Sequence, residues 1–353
     1  MPQRFVSSSL APVRGAPGLA VAMGMGRFFY TPALPLMVAA LHWGSAPGAW
    51  VATLNYVGYF IGTLVIAQGW VEPNRFVYRL SLIVSTVGLA AVALTPNLIW
   101  QGSIRTIAGI ASGLIFVCVT QHIPDNSRRP RDGGLSYGGV GFGILVSGTI
   151  VLIAGSVVDW RGLWLICAAV SAVFTVIAWT WPMPVRIPVH TATEAADPIR
   201  SDGPTEADPP AEAVTAFETN RRRAMAVLSI GYFFQGGGYI IIGTYLVVLA
   251  GPVFGTTAAA STWLIAGIAT AASPLSWSAV ISRIGTVTAL TLCYCLQVFG
   301  ALLAVFGSSP AVLIIAAALS HTISAAFIAS AVALAIAMAL TLVGVVTADI
   351  SRR

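Results

Sequence analysis

The chain has 353 residues, of which 57% are hydrophobic and only 8% charged, with a formal charge of +6. A soluble domain carries about 25% charged residues, so this composition excludes a soluble globular protein and points to a chain that crosses a membrane many times. All 18 basic residues are arginines and most lie between apolar runs, which assigns the positive charge to membrane orientation and not to nucleic acid.

Residues 1–16 hold Arg4 and Arg14 among small and polar residues, a flank expected on the cytoplasmic side. The apolar segment from Pro17 to Leu41 exceeds the 7–15 residues of a signal h-region and is long enough to span a bilayer, which needs about 20. It carries Arg27 at its middle. A charge at that depth costs at least about 2.5 kcal/mol, so Arg27 is predicted to face a polar interior cavity and to serve as an anion site.

The second predicted span, Ala46 to Ala67, contains Asn55 and the pair Gly58 and Gly62, a spacing that permits close helix contact. A third follows Arg79 and ends near Thr95-Pro96, and a fourth runs from Leu98 to Thr120 with the second buried charge, Arg105. Residues 121–134, with Arg128, Arg129 and Arg131, read as a cytoplasmic loop. The fifth span is rich in glycine (Gly138, Gly139, Gly141, Gly143, Gly148) and ends in the turn Asp159 to Trp164. The sixth closes at Trp181-Pro182.

Residues 183–223 are rich in Pro, Thr, Ala and acid, a composition that cannot bury enough apolar surface to fold, and are expected to form a disordered cytoplasmic linker. The predicted organisation is therefore an N-terminal half of six helices (1–182), the linker (183–223) and a C-terminal half of about four helices (224–353). Within that half, Ala224 to Ala250 is interrupted by Gln235-Gly236-Gly237-Gly238-Tyr239, Ala258 to Ile281 contains Pro274, and Val287 to Phe306 is continuous. The stretch Pro310 to Thr347 is long for one crossing and short for two. One tilted helix keeps Arg352 and Arg353 inside with all the other loop arginines except Arg161, and both termini are then cytoplasmic.

Cys118, Cys167, Cys293 and Cys295 all lie within apolar segments, and the histidines His42, His122, His190 and His321 are scattered. No disulfide, metal site, cofactor or catalytic group is expected. All twelve acids fall in predicted loops, linker or tail, so the spans offer no carboxylate to pair with Arg27 or Arg105.

Three motifs carry a family resemblance. Arg105-Thr-Ile-Ala-Gly109-Ile-Ala-Ser-Gly113 resembles the helix-4 pattern of the major facilitator superfamily, and Trp160-Arg161 with Trp164 resembles its turn between helices 5 and 6. Gly26-Arg27-Phe28-Phe29-Tyr30-Thr31-Pro32, followed by Leu34-Pro35-Leu36-Met37 and by Asn55-Tyr56-Val57-Gly58-Tyr59, is similar to the YbfB/YjiJ-type group of that superfamily. The resemblance implies an all-α membrane bundle of two pseudo-symmetric halves and a secondary transporter of the cytoplasmic (inner) membrane. It covers ten predicted spans where the superfamily has twelve, so the last pair is expected to be missing. Gln68 to Arg75 lacks the aspartate usual after helix 2, and Thr149 stands after Gly148 where a drug-antiporter signature has proline.

In such a fold helices 1, 4, 7 and 10 line the central cavity, with the substrate near the midplane. Arg27, Arg105, Gln235 and His321 each lie about midway along their spans at about 1.5 Å per residue. The substrate-binding candidates are Arg27, Tyr30, Asn55, Arg105, Gln235 and Tyr239, with His321 as the candidate for proton coupling. Several have a plainer reading: Arg105 could bond carbonyls of neighbouring helices, His321 could be a neutral packing residue, and Tyr30, Asn55 and Tyr239 could serve helix contact. The expected function is transport of a small organic solute, an anion or carboxylate, with protons as the candidate coupling ion. The alternatives are a drug or metabolite efflux pump and a membrane sensor or inactive fragment that binds without transporting.

Overall fold

The computed structural model describes residues 15–126, 130–181, 226, 230–231 and 256–306. The predicted linker, Gln235, Tyr239, His321 and the ambiguous segment 310–347 lie outside the described residues.

The first span is not the single helix expected. It starts as α1 (Ala16–Leu19), passes into a π-helical turn (Ala20–Met25), breaks over residues 26–29, and resumes as α2 (Tyr30–Leu41). Local sequence explains the break. Pro32 and Pro35 have no N–H to give to the preceding turn, and Gly24 and Gly26 lower the cost of leaving helical geometry. Gly26 N–H therefore reaches back five residues to the Val21 oxygen at 2.8 Å, and Phe28 N–H to that of Met23 at 2.9 Å.

Seven further helices follow among the described residues: α3 (Ser45–Ala67), α4 (Arg75–Val92), α5 (Leu98–Asn126), α6 (Pro130–Ala154) and α7 (Trp160–Trp179), then α8 (Thr256–Ile284), which α9 (Thr286–Phe306) follows. The loop expected over 121–134 contracts, because α5 and α6 continue past the apolar core before ending. Asn74 Oδ1 accepts from Val77 N–H at 3.0 Å to start α4, and Asp159 Oδ1 accepts from Gly162 N–H at 2.8 Å to start α7. The second of these caps starts the helix at Trp160, so the turn lies over residues 155–159, earlier than the Asp159 to Trp164 expected, and Trp160 to Trp164 form the first turn and more of α7. Between α8 and α9, Gly285 at φ 79° supplies the left-handed residue that ends a helix.

Six of these helices are long and apolar enough to cross a membrane: 46–67, 75–92, 98–123, 133–154, 160–179 and 260–284. Their burial pattern is that of a bundle in lipid. On α4, Ser81 and Ser85 are buried while Ile83 and Val87 face outward, 44% and 58% exposed. Polar side chains inside and aliphatic ones outside suit a hydrocarbon surround, where hydrogen bonds between helices supply cohesion. Thr86 bonds Ser171 and Thr175 of α7 at 3.1 and 2.8 Å in that way.

α3 and α5 approach most closely through reciprocal glycines. A Cβ at Gly58 would meet the Thr106 main-chain oxygen and one at Gly62 that of Ile110. One at Gly109 would meet the Asn55 oxygen and one at Gly113 that of Tyr59. Each helix thus offers two small residues four apart to the other's backbone. α6 packs along α8, where a Cβ at Gly267 would meet the Leu145 backbone and one at Gly141 that of Ala271. The core between these pairs holds Trp164, Phe29, Met37 and Leu19.

Candidate functional site

Breaking a helix inside a membrane frees main-chain oxygens that water cannot reach, and each must be bonded internally. Three are met by side chains from other helices. Ser147 Oγ of α6 donates to the Gly24 oxygen at 2.9 Å, Arg105 Nη1 of α5 donates to that of Gly26 at 2.7 Å, and Arg105 Nη2 donates to that of Arg27 at 2.9 Å. Arg105 is 2% exposed and its guanidinium also lies over the rings of Tyr30 and Trp164, at 5.1 and 5.7 Å. The carbonyl-bonding reading of Arg105 describes its contacts in this structure.

Arg27 differs from it. Its guanidinium carbon lies 4.3 Å from the ring centre of Tyr59, 4.5 Å from Tyr56 and 5.5 Å from Phe28, so aromatic faces stabilise the charge by up to about 2 kcal/mol where water is excluded. Among the described residues it has no carboxylate or hydrogen-bonding partner, and its Nε is buried without one. It is half-buried, so part of the guanidinium edge remains open.

Asn55 completes the arrangement. The α3–α5 approach carries its Nδ2 to 2.7 Å from the Arg105 main-chain oxygen. Only the amide nitrogen can donate to a carbonyl, so this bond fixes which way the side chain points. Its Oδ1 is left buried without a partner, as is Arg105 Nε. Arg27, Asn55 and Arg105 together line a cavity of about 10 Å³ with Tyr30, Thr31, Ala52 and Tyr56. That is room for about one water molecule. Tyr30 spends its hydroxyl elsewhere, donating to the Gly48 oxygen at 3.0 Å.

Four of the sequence candidates, Arg27, Tyr30, Asn55 and Arg105, are thus brought together around one cavity. Gln235, Tyr239 and His321 lie outside the described residues. Sequence reasoning missed the aromatic cradle, although Tyr56 and Tyr59 follow Asn55 at positions that share one helix face. It also missed the contact of Phe28 with α8: the Phe28 ring lies 6.3 Å from that of Trp263. Among the described residues no group of His, Cys, Asp or Glu could hold a metal ion.

Residues 19–348 match the sequence profile of a family described as "Uncharacterised MFS-type transporter YbfB". The crystal structure of the nucleoside transporter NupG is similar over 97% of this chain and 91% of its own, at a TM-score of 0.57 and 16% identity. A structure of an aspartate-to-alanine mutant of NupG is similar over 96% and 89%, at 0.57 and 15%. Likeness at that identity establishes the fold, an all-helical membrane protein of the major facilitator type. No curated protein matches the chain in sequence.

Proposed function

This chain belongs to the MFS-type transporter family of YbfB, and we propose that the solute it moves is a small organic anion, a carboxylate, carried by alternating access of the two halves. One observation supports the reading: Arg27, its charge held only by aromatic faces, lines a small polar cavity and has no carboxylate or hydrogen-bonding partner among the described residues. A structural arginine in the membrane interior is expected to use its donors on the protein, as Arg105 does. Arg27 does not, so its partner is the solute.

Arg105 and Asn55 hold the broken first span and the cavity wall in place, and Phe28 against Trp263 gives the second half a hold on the site. Tyr30, Tyr239, Gln235 and His321 complete the proposed lining, His321 as proton relay. The membrane is the cytoplasmic one, with the N-terminus inside. Arg75 and Arg79 then lie at the cytoplasmic end of α4 and Arg161 at the outer face. Nucleoside transport is a property of NupG, and fold likeness does not bring it here.

Purified protein, mixed with a panel of organic acids and a panel of lipophilic cations and then heated, tests the class of solute. Stabilisation by acids is expected; stabilisation by cations alone would overturn the anion. Uptake of the stabilising acid into proteoliposomes under an imposed gradient tests transport, and binding without flux would make the chain a sensor.

A further inference from the structure

We propose that the site selects a carboxylate bearing a hydroxyl on the adjacent carbon, with the hydroxyl seated in the small cavity between Arg27, Arg105 and Asn55. The proposal rests on the anion reading above and deepens it.

Three buried polar atoms on the cavity's lining residues have no partner: Arg27 Nε, Arg105 Nε and Asn55 Oδ1. Two are N–H donors and one is an acceptor, and Asn55 is 1% exposed. The acceptor cannot be exchanged for a donor by turning the amide, because Nδ2 is held on the Arg105 oxygen at 2.7 Å. A buried polar atom left unbonded costs about 1–3 kcal/mol, so the trio calls for a group that accepts and donates at one oxygen.

Candidate groups separate by charge and by size. A carboxylate oxygen accepts from both N–H groups but meets Asn55 Oδ1 lone pair to lone pair. An ammonium satisfies Oδ1 but offers nothing to the N–H groups and sets a third positive charge beside two guanidiniums. A hydroxyl accepts twice and donates once. At about 10 Å³ the cavity takes one such oxygen and not a whole solute. The carboxylate then lies outside it, on the open edge of the half-buried Arg27 guanidinium, which matches a carboxylate in shape. One carbon between hydroxyl and carboxylate places the two groups on neighbouring nitrogens of the same arginine. Amino acids, with an ammonium on that carbon, are discriminated against.

The test is calorimetric titration of the full chain in detergent micelles with matched pairs: glycolate and acetate, lactate and propionate, malate and succinate, mandelate and phenylacetate, with alanine as the ammonium analogue of lactate. For at least one pair the hydroxy acid should bind about tenfold tighter than its partner, the scale of one buried hydrogen bond, with alanine weaker than propionate. Asn55→Ala removes the acceptor and should bring that ratio close to one while the unsubstituted acid still binds. The wild-type ratio decides the matter even where the variant fails to fold. Equal binding within every pair would overturn the hydroxyl and leave the anion standing, the cavity then holding a water only. No binding of any acid to the wild type would remove the anion reading and this inference with it. A wild-type ratio that survives in Asn55→Ala would also overturn the proposal.

Discussion

Arg105 Nη2 lies 2.9 Å from the main-chain oxygen of Arg27, so the two arginines of the membrane interior are joined by the side chain of one and the backbone of the other. The charge of Arg105 is spent on peptide dipoles that the broken first span exposes. That of Arg27 is left for something else. Their different partners predict different phenotypes from the same substitution.

Arg105→Ala should destabilise the fold. It removes two charge-assisted hydrogen bonds, worth about 1.5–3 kcal/mol each, and strands the Gly26 and Arg27 oxygens where water cannot replace the donor. The thermal unfolding midpoint in detergent should fall by many degrees, or the protein should fail to accumulate. Arg105→Lys should recover part of the loss, because one ammonium cannot match the spacing of two guanidinium nitrogens. A wild-type midpoint in Arg105→Ala would show that the carbonyls find other donors.

Arg27→Ala should leave a folded, inserted protein that binds no carboxylate, because no described acid loses a partner when the charge goes. Arg27→Lys should keep part of the affinity, retaining the charge and losing the fork. Titration of both variants with the acids that stabilise the wild type checks this. Unchanged affinity in Arg27→Ala would refute the assignment, and failure to insert would make Arg27 structural.

Gly109→Ala and Gly88→Ala form a matched pair. At Gly109 the new methyl would press on the main-chain oxygen of Asn55, which cannot move without parting α3 from α5, so about 1–3 kcal/mol of overpacking is expected. At Gly88 the nearest atom is the Ala108 Cβ at 3.5 Å, an ordinary contact. There alanine's helix preference of about 1 kcal/mol over glycine should show as neutral or stabilising. Unfolding midpoints of the two variants in opposite order would mean that the close α3–α5 approach is absent in solution.

Orientation can be read chemically. In a chain whose native cysteines are replaced by serine, Val157→Cys, in the turn before α7, should react with a membrane-impermeant maleimide added to intact cells. Trp70→Cys, between α3 and α4, should react only after permeabilisation. Both positions are exposed, 80% and 75%, and lie in turns between spans, so access to the reagent depends on the side of the membrane. The reverse pattern would invert the proposed topology.

Composition and apolar length were enough to show a membrane bundle and to place the spans that lie among the described residues, because hydrocarbon imposes its demands on every residue of a crossing segment. The ends of α3 and α9 fall within a residue of where the sequence puts them. Gly58 and Gly62 marked a close packing face for the same reason: a missing Cβ is visible in the sequence whatever lies opposite. The sequence also singled out Arg27 and Arg105, since a charge in an apolar run needs an explanation by itself.

What it could not do was decide whether Arg105 binds solute or bonds carbonyls of neighbouring helices, because each arginine lies midway along an apolar span with no acid nearby. Only the tertiary structure shows that residues 26–29 leave the helix and that Arg105, from a span some eighty positions away, reaches the oxygens released there. The same holds for Asn55, whose amide is committed to α5 at one end and open to the cavity at the other. The local sequence names the groups that need partners. Which of them find one within the protein is set by distances between helices far apart in the chain: Arg105 finds the oxygens of Gly26 and Arg27, and Arg27 Nε finds none among the described residues.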